Sequence, residues 1–179
     1  SCYGDTKKFP TSEKEKIDLQ NPYAETKFIG EEMVMRYASL FKMPNISVRF
    51  FNVYGPRLNI SGQYSAVIGT FLSQTKRNKK LTIVGNGKQT RDFIHVDDLA
   101  NAFIKAIEST KVNKIYNLGS GQKTSINTLA KIFGGKTKFI PIRPGEPKNS
   151  LADISKIKKE INWKPKISIE QGIKKLLIN

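Results

Sequence analysis

The run Ile46-Ser47-Val48-Arg49-Phe50-Phe51-Asn52-Val53, ended by Tyr54-Gly55-Pro56, carries apolar side chains at nearly every position. Strict alternation would mark a strand with one wet face. Its absence marks a strand buried on both faces, as in a parallel sheet. The Gly-Pro step stops it. Upstream, Ser1 to Gly4 reads as the end of a strand, and residues 5–20 are polar and irregular. Asn21-Pro22 is a helix start, with Asn as cap and Pro pre-set for the first turn. The helix is expected to run to Phe41, with Phe28, Val34, Tyr37 and Phe41 among its buried positions. Downstream, helical and strand patterns alternate. A helix is expected over Ala66 to Thr75, a strand over Leu81 to Val84, and a turn at Gly85-Asn86-Gly87. Asp97 is read as the cap of a helix from Asp98 to Glu108. A strand follows over Lys114 to Leu118, ending in the turn Gly119-Ser120-Gly121. Then come a helix near Ile126 to Phe133, a strand near Thr137 to Ile140, a Pro-rich loop, and helices near Ile154 to Ile161 and Ile169 to Leu177, with Ser168 capping the last. Such alternation gives an α/β protein.

The chain has 179 residues, of which 38% are hydrophobic, enough for one compact core. No apolar run approaches the ~20 residues of a membrane span, and Ser1 opens a polar stretch without a signal peptide. The single cysteine, Cys2, excludes an internal disulfide and suits a reducing cytoplasm. The net charge of +16 raises the question of nucleic acid. However, 25 of the 31 basic residues are lysines, spread along the chain rather than gathered in a block. They read as a solvated surface, and no nucleic-acid partner is expected. The six arginines are more informative, because a guanidinium binds phosphate in a planar, bidentate way that lysine cannot copy.

Four groups of residues could carry chemistry. Tyr23 and Lys27 share a helical face at i, i+4 spacing. An ammonium beside a phenol favours phenolate, which suits proton abstraction from a sugar hydroxyl. On spacing alone, a surface tyrosine and a solvated lysine fit as well. Arg91 and Arg143 each sit in a loop flanked by turn-forming residues. Two such arginines can clamp a diphosphate, although a pair of surface salt bridges explains them as simply. Asn52 ends the first strand, at the carboxyl edge where parallel sheets collect ligands; turn chemistry before Gly55 is the alternative. His95 is the only histidine and has no Cys or second His to form a metal site, so it reads as structural or helix-entry.

Taken together, in order, these stretches resemble the extended short-chain dehydrogenase/reductase family, and within it the UDP-glucose and UDP-N-acetylglucosamine 4-epimerases. The matching segments are Ser1-Cys2-Tyr3-Gly4, Asn21-Pro22-Tyr23-Ala24-Glu25-Thr26-Lys27, Arg49 to Arg57, Gln89 to Asp98, Tyr116 to Gly121, Arg143-Pro144-Gly145-Glu146-Pro147 and Leu151 to Lys156. The resemblance implies the C-terminal part of a Rossmann-type NAD-binding fold (residues 1–57 and 90–118) plus a small α/β substrate-binding lobe (58–89 and 119–179). It implies Tyr23 as catalytic base and Lys27 on the nicotinamide ribose, with Phe51 and Val53 beside the nicotinamide. Asn52 is implied to meet the substrate's phosphate or sugar, and Thr82 and Val84 to lie by the uracil. Arg91 and Arg143 are implied to hold the diphosphate, and Ser150 to border the sugar's C2 group. A small residue at that last position leaves room for an N-acetyl group.

The implied function is NAD-dependent 4-epimerisation of a UDP-hexose or UDP-N-acetylhexosamine, with homodimerisation through the helix from Ala24 to Phe41. Dehydratases, decarboxylases and uronate epimerases of the same family share Tyr23 and Lys27, and a non-enzymatic NAD-binding regulator is compatible with the fold. The family's G-x-x-G-x-x-G loop is expected roughly a hundred residues before this segment, and its catalytic Ser or Thr just before Ser1. The sequence is therefore read as truncated, with little activity expected of the isolated chain.

Overall fold

The computed structural model describes residues 1–60, 66–142 and 148–178. Helix α1 spans Pro22–Phe41, and Asn21 caps it by accepting a hydrogen bond from the Ala24 N–H at 2.9 Å. The expected strand follows as two pieces, β1 (Ile46–Phe50) and β2 (Asn52–Tyr54). The break at Phe51 is a change of partner. β1 pairs in parallel with β6 (Lys114–Leu118), whereas β2 pairs in parallel with β5 (Phe93–His95). The Phe51 N–H still donates to Leu118 O at 2.9 Å, and the Asn52 N–H already donates to Asp92 O at 3.0 Å. A third parallel pair joins β3 (Leu81–Val84) to β8 (Thr137–Ile140). A short antiparallel pair joins β4 (Thr90–Arg91) to β7 (Thr124–Ser125).

Helices α2 (Val67–Lys76) and α4 (Ile126–Phe133) pack with β3, and α6 (Ile169–Ile178) packs with α4 and β5. These elements enclose one apolar core built on Tyr54, Phe71, Leu81, Leu129, Phe133 and Ile173. The turn Gly85-Asn86-Gly87 reverses the chain after β3 through positive φ at both glycines, 61° and 70°. A second core lies between α3 (Val96–Ile107), β6 and α5 (Ser155–Ile161), and contains Tyr116, Leu118, Ile157 and Trp163. Residues 152–163, read from sequence as part of the lobe, thus supply much of the core around β6. Conversely Tyr54 and Phe93 reach into the first core. Among the described residues no helix is long and apolar enough to cross a membrane.

Four expectations need correction. Val34, Tyr37 and Phe41 are exposed, at 40, 52 and 62%, and Phe28 is half-buried. Only a narrow stripe of α1 (Ala24, Glu31, Ala38) is covered, where small side chains let the helix approach the sheet. β1 is not buried on both faces: Phe50 is 54% exposed, and β6 is the one strand paired with β1 among the described residues. Ser1–Gly4 forms turns rather than a strand end. The cap of α3 is His95, whose Nδ1 accepts from the Asp97 N–H at 3.2 Å, so an imidazole nitrogen does what a cap oxygen was expected to do. Ser168 caps α6 as expected: Gln171 N–H donates to its Oγ, and its own N–H donates to Gln171 Oε1.

Candidate active site

The Asn21 cap and Pro22 start α1 so that Tyr23 and Lys27 fall on its first two turns, on one face. Both are exposed, Tyr23 at 61%, and Lys27 Nζ stands 5.3 Å from the centroid of the Tyr23 ring. They line a cleft of about 590 Å³. Across it lie Phe51 and Asn52, at the point where the strand changes partner, together with Arg91 and Ser150. Of the residues singled out from sequence, these six meet in one place. The Asn52 amide nitrogen donates to Asp92 O at 3.2 Å, which fixes the side chain at the rim.

The others lie elsewhere. Val53 points into the second core. Thr82 is engaged by Gln74, whose amide nitrogen donates to Thr82 Oγ1 at 2.7 Å while its Oε1 accepts from Thr82 N–H at 2.9 Å. Val84 lines a second cavity of about 380 Å³, together with Gly85, Lys88 and Lys148. Arg143 lies outside the described residues.

Beneath the cleft runs a polar network. Arg49 on β1 makes a two-pronged pair with Glu31 on α1, Nε to Oε2 at 2.7 Å and Nη2 to Oε1 at 2.6 Å. The same guanidinium donates to Tyr3 Oη at 2.9 Å, and Tyr3 Oη donates to Asn117 Oδ1 at 2.6 Å. Burial alone would lower the Arg49 pKa; bonding to Glu31 and Tyr3 more than offsets it and leaves the guanidinium above its ordinary value, permanently charged. Burial raises the Tyr3 phenol, against the opposing pull of Arg49, so it stays a neutral donor.

Asp92 was not foreseen, and it organises the far wall. Its side chain is fully buried. One carboxylate oxygen accepts from Ser120 N–H and Ser120 Oγ, both at 2.6 Å. The other accepts from Gly121 N–H at 3.1 Å and Ala152 N–H at 3.0 Å. Burial raises its pKa and these donors oppose the rise. Gly119 permits this closeness, since a Cβ there would stand 2.7 Å from both Asp92 Oδ2 and Ala152 Cβ. The available sequence signal was a carboxylate between Arg91 and the apolar pair Phe93-Ile94, because a charge within a buried strand run needs partners.

Comparison with known proteins follows the same outline. A family model described as GDP-mannose 4,6 dehydratase matches residues 1–176. The UDP-glucose 4-epimerase of Mycolicibacterium smegmatis is 30% identical over 98% of this chain and 58% of its own length. Among solved structures, the UDP-N-acetylglucosamine 4-epimerase from Methanobrevibacter ruminantium M1, in complex with UDP-N-acetylmuramic acid, matches with a TM-score of 0.94 at 32% identity, over 99% of this chain and 59% of that one. The UDP-glucuronic acid 4-epimerase from Bacillus cereus, in complex with UDP-glucuronic acid and NAD, matches with a TM-score of 0.85 at 33% identity, over 97% of this chain and 56% of that one. The chain therefore spans under three fifths of the length of these proteins. Over that span it has their mixed α/β, Rossmann-type fold with parallel strand pairs.

Proposed function

We propose a function from the premise that this chain belongs to the GDP-mannose 4,6-dehydratase family of extended short-chain dehydrogenases/reductases, whose members are nucleotide-sugar epimerases and dehydratases. The whole protein acts as an NAD-dependent UDP-sugar 4-epimerase. The observation that carries this is the single cleft in which Tyr23, Lys27, Phe51, Asn52, Arg91 and Ser150 meet.

The residues present fit the cofactor. A phenol, an ammonium and the half-buried ring of Phe51 share one cleft, which suits a ribose hydroxyl pair and a flat nicotinamide. NAD supplies the hydride acceptor and donor when bound. The protein's part is positioning and proton transfer. Tyr23 Oη takes the proton from the sugar's 4-hydroxyl and later returns one. The Lys27 ammonium, 5.3 Å from the Tyr23 ring centroid, would bond the cofactor's ribose hydroxyls beside it. Asn52 holds the sugar or its phosphate from the opposite wall. Arg91, with Arg143 as its partner from sequence, neutralises the diphosphate. Thr82 and Val84 form the uracil side, Val53 supports the nicotinamide side from beneath, and Ser150 borders the sugar's C2 group. The 4-keto sugar turns over in the cleft between the two half-reactions.

In this reading residues 1–57 and 90–118 belong to the cofactor side, and 58–89 and 119–179 to the substrate side. The apolar surface that α1 leaves open, including Ile29, Met33, Tyr37, Leu40 and Phe41, supports a homodimer of the whole protein. The single cysteine supports a cytoplasmic setting.

The test is turnover of UDP-galactose and UDP-N-acetylgalactosamine by the whole protein with NAD. Tyr23→Phe is expected to lower kcat by about 10²–10⁴ with little effect on UDP affinity. Full activity in that variant overturns the assignment. Release of water or of carbon dioxide from the sugar would identify a dehydratase or a decarboxylase instead, and NAD binding without turnover a regulator. Ser150→Tyr is expected to abolish activity on the N-acetylated sugar and spare the plain hexose, because added bulk rejects the larger ligand first. Equal activity of Ser150→Tyr on both removes Ser150 as the size filter.

A further inference from the structure

Asn149 is the one described residue that lines both the large cleft and the second cavity. It forms the saddle between them, so a ligand that extends from one into the other crosses it. Its side chain is exposed, yet its orientation is set from behind. The hydroxyl of Thr90, a residue 7% exposed, donates to Asn149 Oδ1 at 2.8 Å. The backbone is fastened on both sides of it. Thr90 N–H donates to Lys148 O at 3.0 Å, and Ala152 N–H donates to the buried Asp92 carboxylate at 3.0 Å. Thr90 is itself anchored in the β4–β7 ladder, opposite Ser125.

This arrangement has a chemical polarity. A carboxamide has one acceptor oxygen and an NH₂ with two donors. Thr90 takes one of the oxygen's two lone pairs and turns that oxygen toward the buried side, which leaves both NH₂ donors for a ligand. Arg91 lines the cleft on one side of the saddle, and Lys88 and Lys148 line the cavity on the other. A donor amide flanked by cations suits anionic oxygens and repels none of them.

We propose that Asn149 is a ligand-binding residue, with Thr90 as its positioning residue. Its NH₂ donates to the diphosphate of a nucleoside-diphosphate ligand that spans both cavities. The proposal rests on the functional reading above, and it adds two residues which that reading did not use.

The experiment measures binding of UDP and of uridine to the whole protein by calorimetry. Asn149→Ala is expected to weaken UDP about tenfold and to leave uridine unchanged, since loss of a hydrogen bond to a charged group costs about that much. Asn149→Asp, which turns the donor into a carboxylate, is expected to weaken UDP about a hundredfold. Thr90→Val is expected to weaken UDP about threefold, by freeing the amide to rotate, whereas Thr90→Ser keeps the hydroxyl and binds as wild type. A purely structural role for Thr90 would lower thermal stability without separating UDP from uridine. Unchanged UDP affinity in Asn149→Ala and Asn149→Asp overturns the assignment, as does an equal loss for uridine and UDP. A wild-type protein that binds neither UDP nor a UDP-sugar refutes the functional reading itself. A wild type that binds UDP as tightly as Asn149→Asp refutes only the role of Asn149.

Discussion

Helices α1 and α4 are held in opposite ways. α4 is eight residues long and buries Ile126, Leu129, Ala130 and Phe133 against other parts of the same chain. α1 is twenty residues long and buries only Ala24, Glu31 and Ala38. Its central attachment to the sheet is an ion pair, Glu31 with Arg49, and its large apolar side chains face outward. A helix fastened by oil can be repacked with little loss if its volume is kept. A helix fastened by a buried charge pair fails sharply when one partner is removed. The loosely covered helix is also the one that brings Tyr23 and Lys27 to the cleft.

The largest expected effect strikes that ion pair. Glu31→Ala leaves the Arg49 guanidinium buried without its carboxylate and is expected to cost about 4 kcal/mol of folding stability. Urea denaturation of the whole protein measures it, and a loss below about 1 kcal/mol would mean that α1 is held by other contacts. Next comes Leu129→Ala in α4, at a site with no exposed surface, expected to cost about 3 kcal/mol. Under the proposed function, turnover per folded molecule should be unchanged, so a fall in kcat at full folding would break the division between the two helices. Asn21→Ala removes the cap of α1 and is expected to cost about 1 kcal/mol. Under the proposed function it should also lower kcat, since Tyr23 sits in that first turn. The smallest effect belongs to the outer face of α1. Leu40→Ser is expected to change monomer stability by less than about 0.5 kcal/mol, because Leu40 is 74% exposed. Sedimentation should nonetheless show weaker self-association, and a large loss of monomer stability would show that Leu40 is covered within one subunit.

The two helices also show what the sequence could reveal. The limits of α4, β3 and β6 match their apolar periods and turn residues, because both the pattern and its cover lie in the chain; those of β8 match as well, although Phe139 is 57% exposed. For α1 the pattern correctly gave a helix, but it could not say which side chains are covered by this chain and which are left open. Hydrophobic periodicity reports what is apolar, not what lies opposite. At the cleft, spacing, a strand end and loop context made Tyr23, Lys27, Asn52 and Arg91 candidates with equally simple structural alternatives, and it was the resemblance of the ordered segments that favoured them. Asp92, Thr90 and Asn149 were not candidates. Their bonds join positions 59 and 60 residues apart, which no local window contains. His95, read as structural or helix-entry, does cap α3 by accepting from the Asp97 N–H; the cap itself was assigned to Asp97 because imidazole is an uncommon cap.

The network under the cleft also sets an order of events during synthesis. Glu31 and Arg49 are 18 positions apart, whereas Tyr3 and its acceptor Asn117 are 114 apart. Contacts of the second kind must close a long loop before they contribute anything. On a ribosome adding 5–20 residues per second, Asn117 is joined to the chain roughly 3–14 s after Arg49. Over that interval the guanidinium can already be matched by Glu31, while the phenol of Tyr3 has yet to meet its amide acceptor. The local ion pair thus gives α1 and β1 a provisional attachment, and the cleft floor is completed only when β6 has been made.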